Sequence, residues 1–477
     1  MKGAGGREPT GPAQRPHPRP GTAPVPDPPA PADARRFGPW TGYQVVVGSM
    51  IGAGILVTSG YTLRDTGNPI GLLAVWAVGG VLAVCGALTV AELATTLPRS
   101  GGDYVYVRAA FGRGAGVVAG WAGFALGFAA PTALIAHTAL SHLLDPFTAP
   151  LSAALPWWNP DLAVKAGATA LVVAVGVGHT LGHRHSARLQ TAATLLTLAV
   201  LLTLSVGGLL FGTGSWGHFA QGGWPREREW PALAIGLIYV GYAYAGWNGA
   251  AYIAGELRDP ARTLPRCLVG GAVTVMALYL LVNVAYVYAL DPAGMTARGE
   301  DEVKPVATLA AAALFGPEWA RVTSAAIGLS LTAAVSSYLL TGPRVAYAMA
   351  RDGAFPAYAG RLHPARGTPA AATLTQAALA VGLLWSGTFE ELLNYTTVGL
   401  AALTGLTVAS VFPLRRADLP RPYRLPLYPL PPLAFLALTA WTVGYAVLDE
   451  RTRRPALWGL ATIAVGVPLA RLLPDRR

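Results

Sequence analysis

Apolar stretches of about 17–25 residues recur along the chain from Trp40 to its end, and they constrain the fold more than any other feature. A helix of this length crosses roughly 30 Å of hydrocarbon. Twelve such stretches can be read, at residues 40–60, 69–97, 114–140, 161–181, 189–211, 231–255, 267–290, 320–342, 370–387, 391–412, 427–447 and 456–473. Only 12% of the 477 residues are charged, about half the usual share in soluble domains. The sequence therefore predicts an all-α integral membrane protein with about twelve transmembrane helices.

A different composition marks the first 37 residues. Ten of the 39 prolines fall within the first 31 residues, interspersed with arginine and glycine and without an apolar run. Pro-rich sequence of this kind has no core to bury and stays solvated. A signal peptide is not indicated, because no apolar segment follows the basic residues. We expect residues 1–37 to be a disordered cytoplasmic tail and residues 38–477 to form the transmembrane domain.

Basic residues are distributed unevenly between alternate connections of the predicted helices. If the N-terminus is cytoplasmic, 25 of the 35 Lys and Arg residues lie on that side and 10 on the other. Positively charged connections are typical of the cytoplasmic side of a membrane. The bias predicts a multi-pass protein of the cytoplasmic membrane, surrounded by lipid, with both termini inside. It also accounts for the net charge of +11 without nucleic acid as a partner.

Glycine interrupts two of the predicted helices. Three glycines fall within residues 48–54 of the first apolar stretch, and three fall within residues 241–249 of the sixth. Each weakens a helix interior by roughly 1 kcal/mol relative to alanine. Backbone groups freed by a break in lipid need partners, so broken helices occur beside a cavity or inside protein. Close helix packing through small residues is the alternative explanation. Because the first and sixth helices correspond in two sets of five, the pattern favours an inverted-repeat transporter with a central site.

Several ordered motifs accompany these breaks. The first stretch reads GSMIGAGIL at residues 48–56, and the sixth contains YAGWN at residues 244–248. The connections between the predicted helices add AEL at 91–93, PRSGGDYVY at 98–106, AFG at 110–112, ELRDP at 256–260, RVAYAMARDG at 344–353 and DLPRPYR at 418–424. With these motifs in this order, the chain resembles amino-acid permeases of the amino acid–polyamine–organocation (APC) superfamily, and among them the bacterial members that are similar to L-type amino-acid transporters.

The resemblance implies the LeuT-type fold, in which two inverted repeats of five helices surround a substrate held by unwound helices 1 and 6. The repeats would cover about residues 40–211 and 231–412, and accessory helices would follow at about 427–473. The implied function is secondary active transport of a small-molecule amino acid by alternating access. The implied substrate-binding residues are Met50, Ile51, Gly52, Ala53, Gly54, Tyr242, Ala243, Ala245, Gly246, Trp247 and Asn248.

The family pattern also implies a role for each group in the site. Amides at residues 52–54 would bind the carboxylate, and the carbonyls of Met50, Tyr242 and Ala245 would bind the ammonium group. Tyr242 would cover the substrate, and residues 246–248 would contact its side chain. Ala53 stands where relatives usually have serine, which keeps the backbone amide. Ala245 stands where glycine is common, and its methyl group is expected to favour smaller substrates.

The coupling ion is left open by the sequence. Many relatives have a lysine on the fifth helix in place of a sodium ion, and the resemblance aligns Thr197 with that lysine. Ser336 and Ser337 on the eighth helix lie near the positions of sodium-binding hydroxyl groups in the wider fold, with a bond to their own helix as the alternative. His137 is a candidate proton carrier, because buried ionisable groups are costly in a membrane, and a polar contact between helices is its alternative. A proton or a counter-transported amino acid is thus a possible partner.

Four charged residues are candidates for a cytoplasmic gate. Glu92 and Glu256 fall at the cytoplasmic ends of the second and sixth predicted helices, where loop arginines such as Arg99 or Arg262 are available for ion pairs. Ion pairs between helix ends would hold this side of the transporter closed.

No cofactor, metal or enzymatic activity is expected. The HExxH, GxSxG and P-loop patterns do not occur. His179, His183 and His185 have a spacing that suits two metal ligands, yet no carboxylate or cysteine lies beside them in the sequence. Three other functions remain as alternatives: a polyamine or organic-cation carrier, an obligatory amino-acid exchanger, and a non-transporting amino-acid sensor. A cation carrier should have an acidic side chain in its pocket, and neither broken-helix core contains one.

Overall fold

A computed structural model describes residues 37–155, 157–181, 186–221, 230–296, 305–364 and 366–473. Residues 1–36 of the predicted tail and the histidines His183 and His185 lie outside the described residues, whereas Phe37, the last residue of the predicted tail, is described. Within the described part, the chain is built of helices and their connections, and one isolated backbone bridge joins Phe37 to Leu257. The all-α prediction is therefore confirmed.

Twelve helical spans follow one another in the described residues. Span 1 consists of the helices Pro39–Met50 and Ala53–Thr66, and span 6 consists of Trp230–Ala243 and the 3₁₀ helix Gly249–Glu256. The other ten are Pro69–Thr96 (span 2), 113–154 (span 3), Pro160–Leu181 (span 4), 186–211 (span 5), Pro260–Ala289 (span 7), Pro317–Arg351 (span 8), Ala370–Leu384 (span 9), Phe389–Ala409 (span 10), Leu430–Leu448 (span 11) and Arg453–Leu472 (span 12).

Most of these spans are long enough to cross a bilayer. Among the described residues, nine helices are long and apolar enough to cross a membrane, and the bent pair of helices in span 1 is a tenth. The two shorter ones are the first helix of span 6, with 14 residues, and span 9, with 15. Both coincide with predicted apolar stretches, so the structure has a helix at each predicted position and breaks in spans 1 and 6.

The spans pack in two groups. Spans 1, 2, 6 and 7 contact one another, and spans 3, 4, 8 and 9 contact one another. Spans 11 and 12 pack on span 10. Each group contains two corresponding pairs, such as 1 with 6 and 2 with 7, as a structure made of two five-helix repeats would. The exact bounds of the repeats stay a prediction.

The connections alternate between two ends of the helix bundle. We call the end that contains Phe37 the amino-terminal end, and it also holds the short helix Asp103–Phe111 between spans 2 and 3. Here the N–H of Phe37 donates to the carbonyl of Glu256 at 3.0 Å, and the N–H of Arg258 donates to the carbonyl of Phe37 at 2.9 Å. The start of span 1 is thereby bonded to the end of span 6.

Candidate functional site

Span 1 is interrupted at Ile51 and Gly52, where the two helices are bent by 40°. Gly52 has φ −145° and ψ −152°, and it precedes the second helix without a side-chain cap. The first N–H groups and the last carbonyl groups of a helix have no partner within that helix. The break therefore presents N–H groups with a positive dipole from Ala53 onward and carbonyl groups up to Met50.

Span 6 is interrupted after Ala243. Gly246 in the connecting turn has φ +99°, a backbone conformation that glycine adopts more readily than any other residue. The N–H of Ala245 donates to the carbonyl of Tyr242 at 3.1 Å. Since a carbonyl oxygen has two lone pairs, Tyr242 keeps one acceptor position.

The two breaks are in direct contact. A Cβ atom on Gly246 would lie 2.5 Å from the carbonyl oxygen of Ser49, and one on Gly54 would lie 2.3 Å from the Cα atom of Ala243. Real Cβ atoms do not approach other atoms so closely, so both positions need glycine. A Cβ on Gly52, in contrast, would meet nothing within 4 Å. Open space thus lies beside the break in span 1.

That space is a cavity of about 680 Å³. Ten of the eleven residues predicted to bind substrate line it: Met50, Ile51, Gly52, Ala53, Gly54, Tyr242, Ala245, Gly246, Trp247 and Asn248. The structure places Ala243 elsewhere, packed against Gly54 and outside the lining. Spans 2, 3, 5, 8, 10 and 11 complete the wall. The lining continues along the first half of span 1 to Trp40 and Phe37, so the cavity extends to the amino-terminal end.

One ionisable side chain other than tyrosine lines the cavity among the described residues. It belongs to Asp103, the first residue of the short helix between spans 2 and 3, and only 4% of that residue is exposed. Asn248 Nδ2 donates to Asp103 Oδ1 at 3.2 Å, and the hydroxyl of Tyr252 donates to Oδ2 at 2.8 Å. Both carboxylate oxygens are therefore bonded to the second half of span 6.

A tyrosine from span 7 supports the break in span 1. The hydroxyl of Tyr279 donates to the carbonyl of Met50 at 2.7 Å. Tyr279 is fully buried, between Trp76 and Tyr244 with ring centroids at 5.6 and 5.2 Å. The hydroxyl therefore pairs a backbone carbonyl beside the break.

Replacing Tyr279 with phenylalanine is expected to lower the free energy of unfolding by about 1–3 kcal/mol, because it leaves the buried carbonyl of Met50 with one partner fewer. Thermal unfolding of the purified protein in detergent measures the change. Tyr286 on the same span is a matched control, since it is fully buried and its hydroxyl has no partner among the described residues. Equal unfolding temperatures for Tyr279→Phe and Tyr286→Phe would contradict a supporting role for Tyr279.

The four coupling candidates lie in different surroundings. Thr197 donates to the carbonyl of Ala193 in its own helix at 3.0 Å. Ser336 Oγ lies 2.9 Å from Nε2 of His179, whereas Ser337 lines the cavity. His137 is outside the lining: its ring stacks on Phe389 at 5.0 Å, and its Nδ1 lies 3.5 Å from Ser141 Oγ. Of the four, Ser337 is therefore the one that lines the cavity. A metal role for His179 would have to accommodate its contact with Ser336.

Two of the predicted gate residues, Glu92 and Arg262, have ion-pair partners other than those anticipated. Glu92 is buried and pairs with Arg415, whose Nε donates to Oε1 at 2.6 Å, and the N–H of Leu425 donates to Oε2 at 2.7 Å. The sequence had suggested Arg99 or Arg262 for this role. Arg262 instead lies 3.8 Å from Asp259 on the surface. Glu256 is exposed and contributes its backbone carbonyl to the bridge with Phe37.

A second set of charges lies at the opposite end of the bundle, and we call it the Arg64 cluster. It consists of Arg64, Asp65, Tyr239, Glu390 and Arg451, from span 1, span 6, span 10 and the connection between spans 11 and 12. Arg64 donates to the two carboxylate oxygens of Glu390 at 3.1 and 2.8 Å, and Arg451 donates to those of Asp65 at 2.9 and 3.0 Å. The hydroxyl of Tyr239 donates to Glu390 at 3.0 Å.

The sequence contained partial signals for these additional residues. Arg64 and Asp65 are adjacent charges at the end of an apolar stretch, which is where an ion pair between helices is expected. Asp103 falls within the PRSGGDYVY motif. Tyr279 carries no signal, because a tyrosine in an apolar stretch more often reflects packing than a polar contact.

Comparison with known proteins identifies the family of the chain. The family profile described as "Amino acid permease" matches residues 37–467. That range includes both breaks, the cavity lining and the Arg64 cluster, and ends within span 12.

Individual relatives are similar over most of the chain. The "Large neutral amino acids transporter small subunit 2" of Homo sapiens is 30% identical over 441 residues, covering 89% of this chain and 78% of the relative. The "Serine/threonine exchanger SteT" of Bacillus subtilis (strain 168) is 28% identical, covering 85% of this chain and 90% of the relative. The "Cystine/glutamate transporter" of Homo sapiens is 28% identical over 390 residues, covering 81% and 75%.

Proposed function

The chain belongs to the amino acid permease family, and on that premise we propose that it carries neutral amino acids across the membrane by alternating access. As a member of this family it is a multi-pass membrane transporter of amino acids and not an enzyme. The substrate's side-chain class, the binding residues and the transport cycle are the parts that we propose.

The observation that carries the proposal is the pair of breaks facing one cavity. An α-amino acid bears an anion and a cation on one carbon, and a broken helix offers N–H groups to the first and carbonyl groups to the second. We assign the carboxylate to the amides at residues 52–54. We assign the ammonium group to the carbonyls of Met50, Tyr242 and Ala245, because a carbonyl that accepts one hydrogen bond keeps a second lone pair.

The charge of the lining favours neutral side chains. Among the described lining residues no lysine, arginine, histidine or glutamate occurs, and both oxygens of Asp103 already accept hydrogen bonds. An acidic side chain of a substrate would therefore find no cationic partner among the described lining residues. Asp103 is the one acidic side chain there, so a polyamine or organic-cation carrier stays an alternative.

Four residues of span 6 are proposed to shape the side-chain end of the site. Tyr242 and Trp247 line the cavity with aromatic surface, and Trp247 is held edge-on by Phe435 at 5.8 Å. Asn248 is fixed by its bond to Asp103. Ala245 also lines the cavity, so its methyl group reduces the room for a substrate side chain.

The alternating-access part rests on the difference between the two ends of the bundle. The cavity extends to the amino-terminal end, whereas the Arg64 cluster ties spans 1, 6 and 10 together at the opposite end. We propose that the structure corresponds to the state open toward the amino-terminal end. The basic residues predict that this end is cytoplasmic, in the cytoplasmic membrane.

Obligatory exchange is the second candidate. A relative that covers 85% of this chain is named a serine/threonine exchanger. In addition, Thr197 aligns with the lysine that replaces a sodium ion in many relatives. Exchange would require no coupling ion, only a second amino acid on the other side. Counterflow distinguishes the two cycles, since an exchanger takes up label only when the vesicles are preloaded.

Uptake by proteoliposomes tests the function. The purified protein is reconstituted and given a panel of radiolabelled amino acids, with and without an unlabelled amino acid inside. We expect uptake or counterflow of at least one neutral amino acid. A complete panel without either would contradict transport and favour an amino-acid sensor.

Gly52→Ala tests the carboxylate site. The added methyl group enters open space and should not disturb packing, yet it would occupy the position assigned to the carboxylate. We expect substrate affinity to fall at least about tenfold, equivalent to about 1.4 kcal/mol, with an unchanged unfolding temperature without substrate. Gly127→Ala is the matched control, because Gly127 also lines the cavity and its Cβ would also meet nothing within 4 Å. Equal affinities for the two variants would argue against this assignment.

A further inference from the structure

Asp103 is a buried carboxylate without a cationic partner among the described residues. Its hydrogen bonds come from Asn248 and Tyr252 of span 6. The ionisable groups that face it are tyrosines: Tyr252 from span 6 and Tyr106 from its own helix. Arg415 lies on the adjoining segment 411–416, but its charge is paired with Glu92 on span 2.

A carboxylate in such surroundings is balanced between its two protonation states. Burial without a positive charge disfavours the ionised form, whereas the hydrogen bonds from Tyr252 and Asn248 favour it. Burial is the larger effect and raises the pKa of Asp103 above its usual range, while these two bonds act in the opposite direction. Water in the cavity would stabilise the ionised form, so the proton affinity depends on whether the cavity is wet or dry.

We propose that Asp103 binds and releases a proton and that its charge sets the position of the second half of span 6. This inference rests on the transport function proposed above. The proton comes from the water in the cavity, attaches to Oδ2 and returns to that water. Because a tyrosine hydroxyl is both donor and acceptor, Tyr252 turns to accept the bond once Oδ2 carries the proton.

The charge state matters because of where these bonds lead. Asn248 immediately precedes the helix Gly249–Glu256, and Tyr252 is within it. The ionised carboxylate accepts from both residues, so it holds this half-helix against the short helix that begins at Asp103. A protonated carboxyl accepts more weakly, which loosens the half-helix beside the substrate site. A change of one proton thereby alters the amino-terminal mouth of the cavity.

Other buried acids and histidines are less suited to this role. Glu92 is neutralised by Arg415 and receives a backbone N–H. His137 stacks on Phe389 outside the cavity lining. Thr197, at the position of the lysine found in relatives, carries no titratable group. Asp103 combines contact with the cavity and contact with span 6.

Infrared spectroscopy of the purified protein tests proton binding without reference to transport. The carbonyl stretch of a protonated carboxylic acid is followed while the pH is raised from about 5 to about 8. We expect a band that titrates in the wild-type protein, is absent in Asp103→Asn and persists in Asp352→Asn. Asp352 is the matched control, a half-exposed carboxylate that also accepts a bond from a tyrosine, Tyr104 at 3.2 Å. A band unchanged in Asp103→Asn would overturn the proposal.

Tyr252→Phe provides a second route if Asp103→Asn does not fold. The variant removes a hydrogen bond that stabilises the ionised carboxylate, so the pKa of Asp103 should rise and the midpoint of the infrared titration should move to higher pH. An unmoved midpoint would contradict the assignment.

The pH profile of transport tests whether the charge of Asp103 sets the position of the second half of span 6. Uptake by the wild-type protein should vary with pH by up to about tenfold per unit, the limit for one linked proton, and uptake by Asp103→Asn should stay constant within about twofold. The same pH dependence in Asp103→Asn as in wild type would overturn the link to span 6. A panel without any uptake would refute the transport function alone, since the infrared titration decides proton binding separately.

Discussion

Replacing Gly246 with alanine is expected to reduce amino-acid uptake at least about 100-fold, equivalent to about 2.7 kcal/mol. Two costs combine at this position. The backbone has φ +99°, a conformation that costs of order 1–3 kcal/mol for a residue with a side chain. The new Cβ would also lie 2.5 Å from the carbonyl oxygen of Ser49, a backbone atom that cannot turn aside as the end of a flexible side chain could. The two breaks would separate, and the acceptors for the ammonium group would move with them.

Gly236→Ala is the control for this substitution. Gly236 is in the first helix of span 6, and its Cβ would meet the nearest side chains of Thr62 and Val75 at 3.5 Å, an ordinary contact. Uptake by this variant should stay within about twofold of wild type, because helical alanine is favoured over glycine. If Gly246→Ala retained the uptake of Gly236→Ala at equal protein levels, the contact between the two breaks would be irrelevant to transport.

Replacing Arg64 with alanine is expected to open the end of the cavity that the Arg64 cluster closes. Arg64 and Glu390 are only 14% and 23% exposed at their side chains, and removing one partner of a largely buried pair costs about 3–5 kcal/mol. That cost applies only to the state in which the cluster is assembled. The population of the state open at the opposite end should therefore rise. We expect an increase of at least about tenfold, smaller than the full cost would give, because water that enters beside Glu390 solvates its charge and reduces the cost of the missing partner.

Labelling of a cysteine in the cavity measures the opening. Ile238, in the first half of span 6, lines the cavity and is replaced by cysteine in a background without Cys85 and Cys267. A membrane-impermeant thiol reagent is then added to intact cells, where the basic residues predict that the Arg64 cluster faces outward. We expect at least about tenfold faster labelling in Arg64→Ala than in the parent. Arg453→Ala is the control, since Arg453 is at the same end and, among the described residues, its side chain donates to the carbonyls of Val447 and Leu448. Equal rates for both variants would contradict the role of the cluster.

Hydropathy and glycine placement were sufficient to predict the architecture. A span in lipid requires about 20 apolar residues whatever its neighbours are, so each span can be found in isolation. The breaks were also local in origin, since Gly52 and Gly246 interrupt otherwise regular helices. The sequence therefore located ten of the eleven predicted substrate-binding residues on one cavity wall, although their role in binding is still to be tested.

Partners that are distant in sequence could not be predicted in the same way. Glu92 was correctly placed at a helix end, but its partner Arg415 is more than 300 residues away and competes with nearer arginines. The bond from Tyr279 to Met50 depends on how span 7 packs against span 1. Ala243 was grouped with its neighbours in the motif, yet a helix turns by about 100° per residue, and this residue faces Gly54. One sequence specifies the composition of each helix but not which faces meet.

The bridge between Phe37 and Leu257 has a mechanical consequence. Two hydrogen bonds join Phe37, just before span 1, to Glu256 at the end of span 6 and to Arg258 just after it. We therefore expect these two segments to move together. Moving one segment without the other would break both hydrogen bonds, at a cost of about 0.5–1.5 kcal/mol each, whereas moving the two segments together breaks neither bond. A displacement of one segment is thus transmitted directly to the other through these backbone bonds, although Phe37 and Leu257 are 220 residues apart in the sequence.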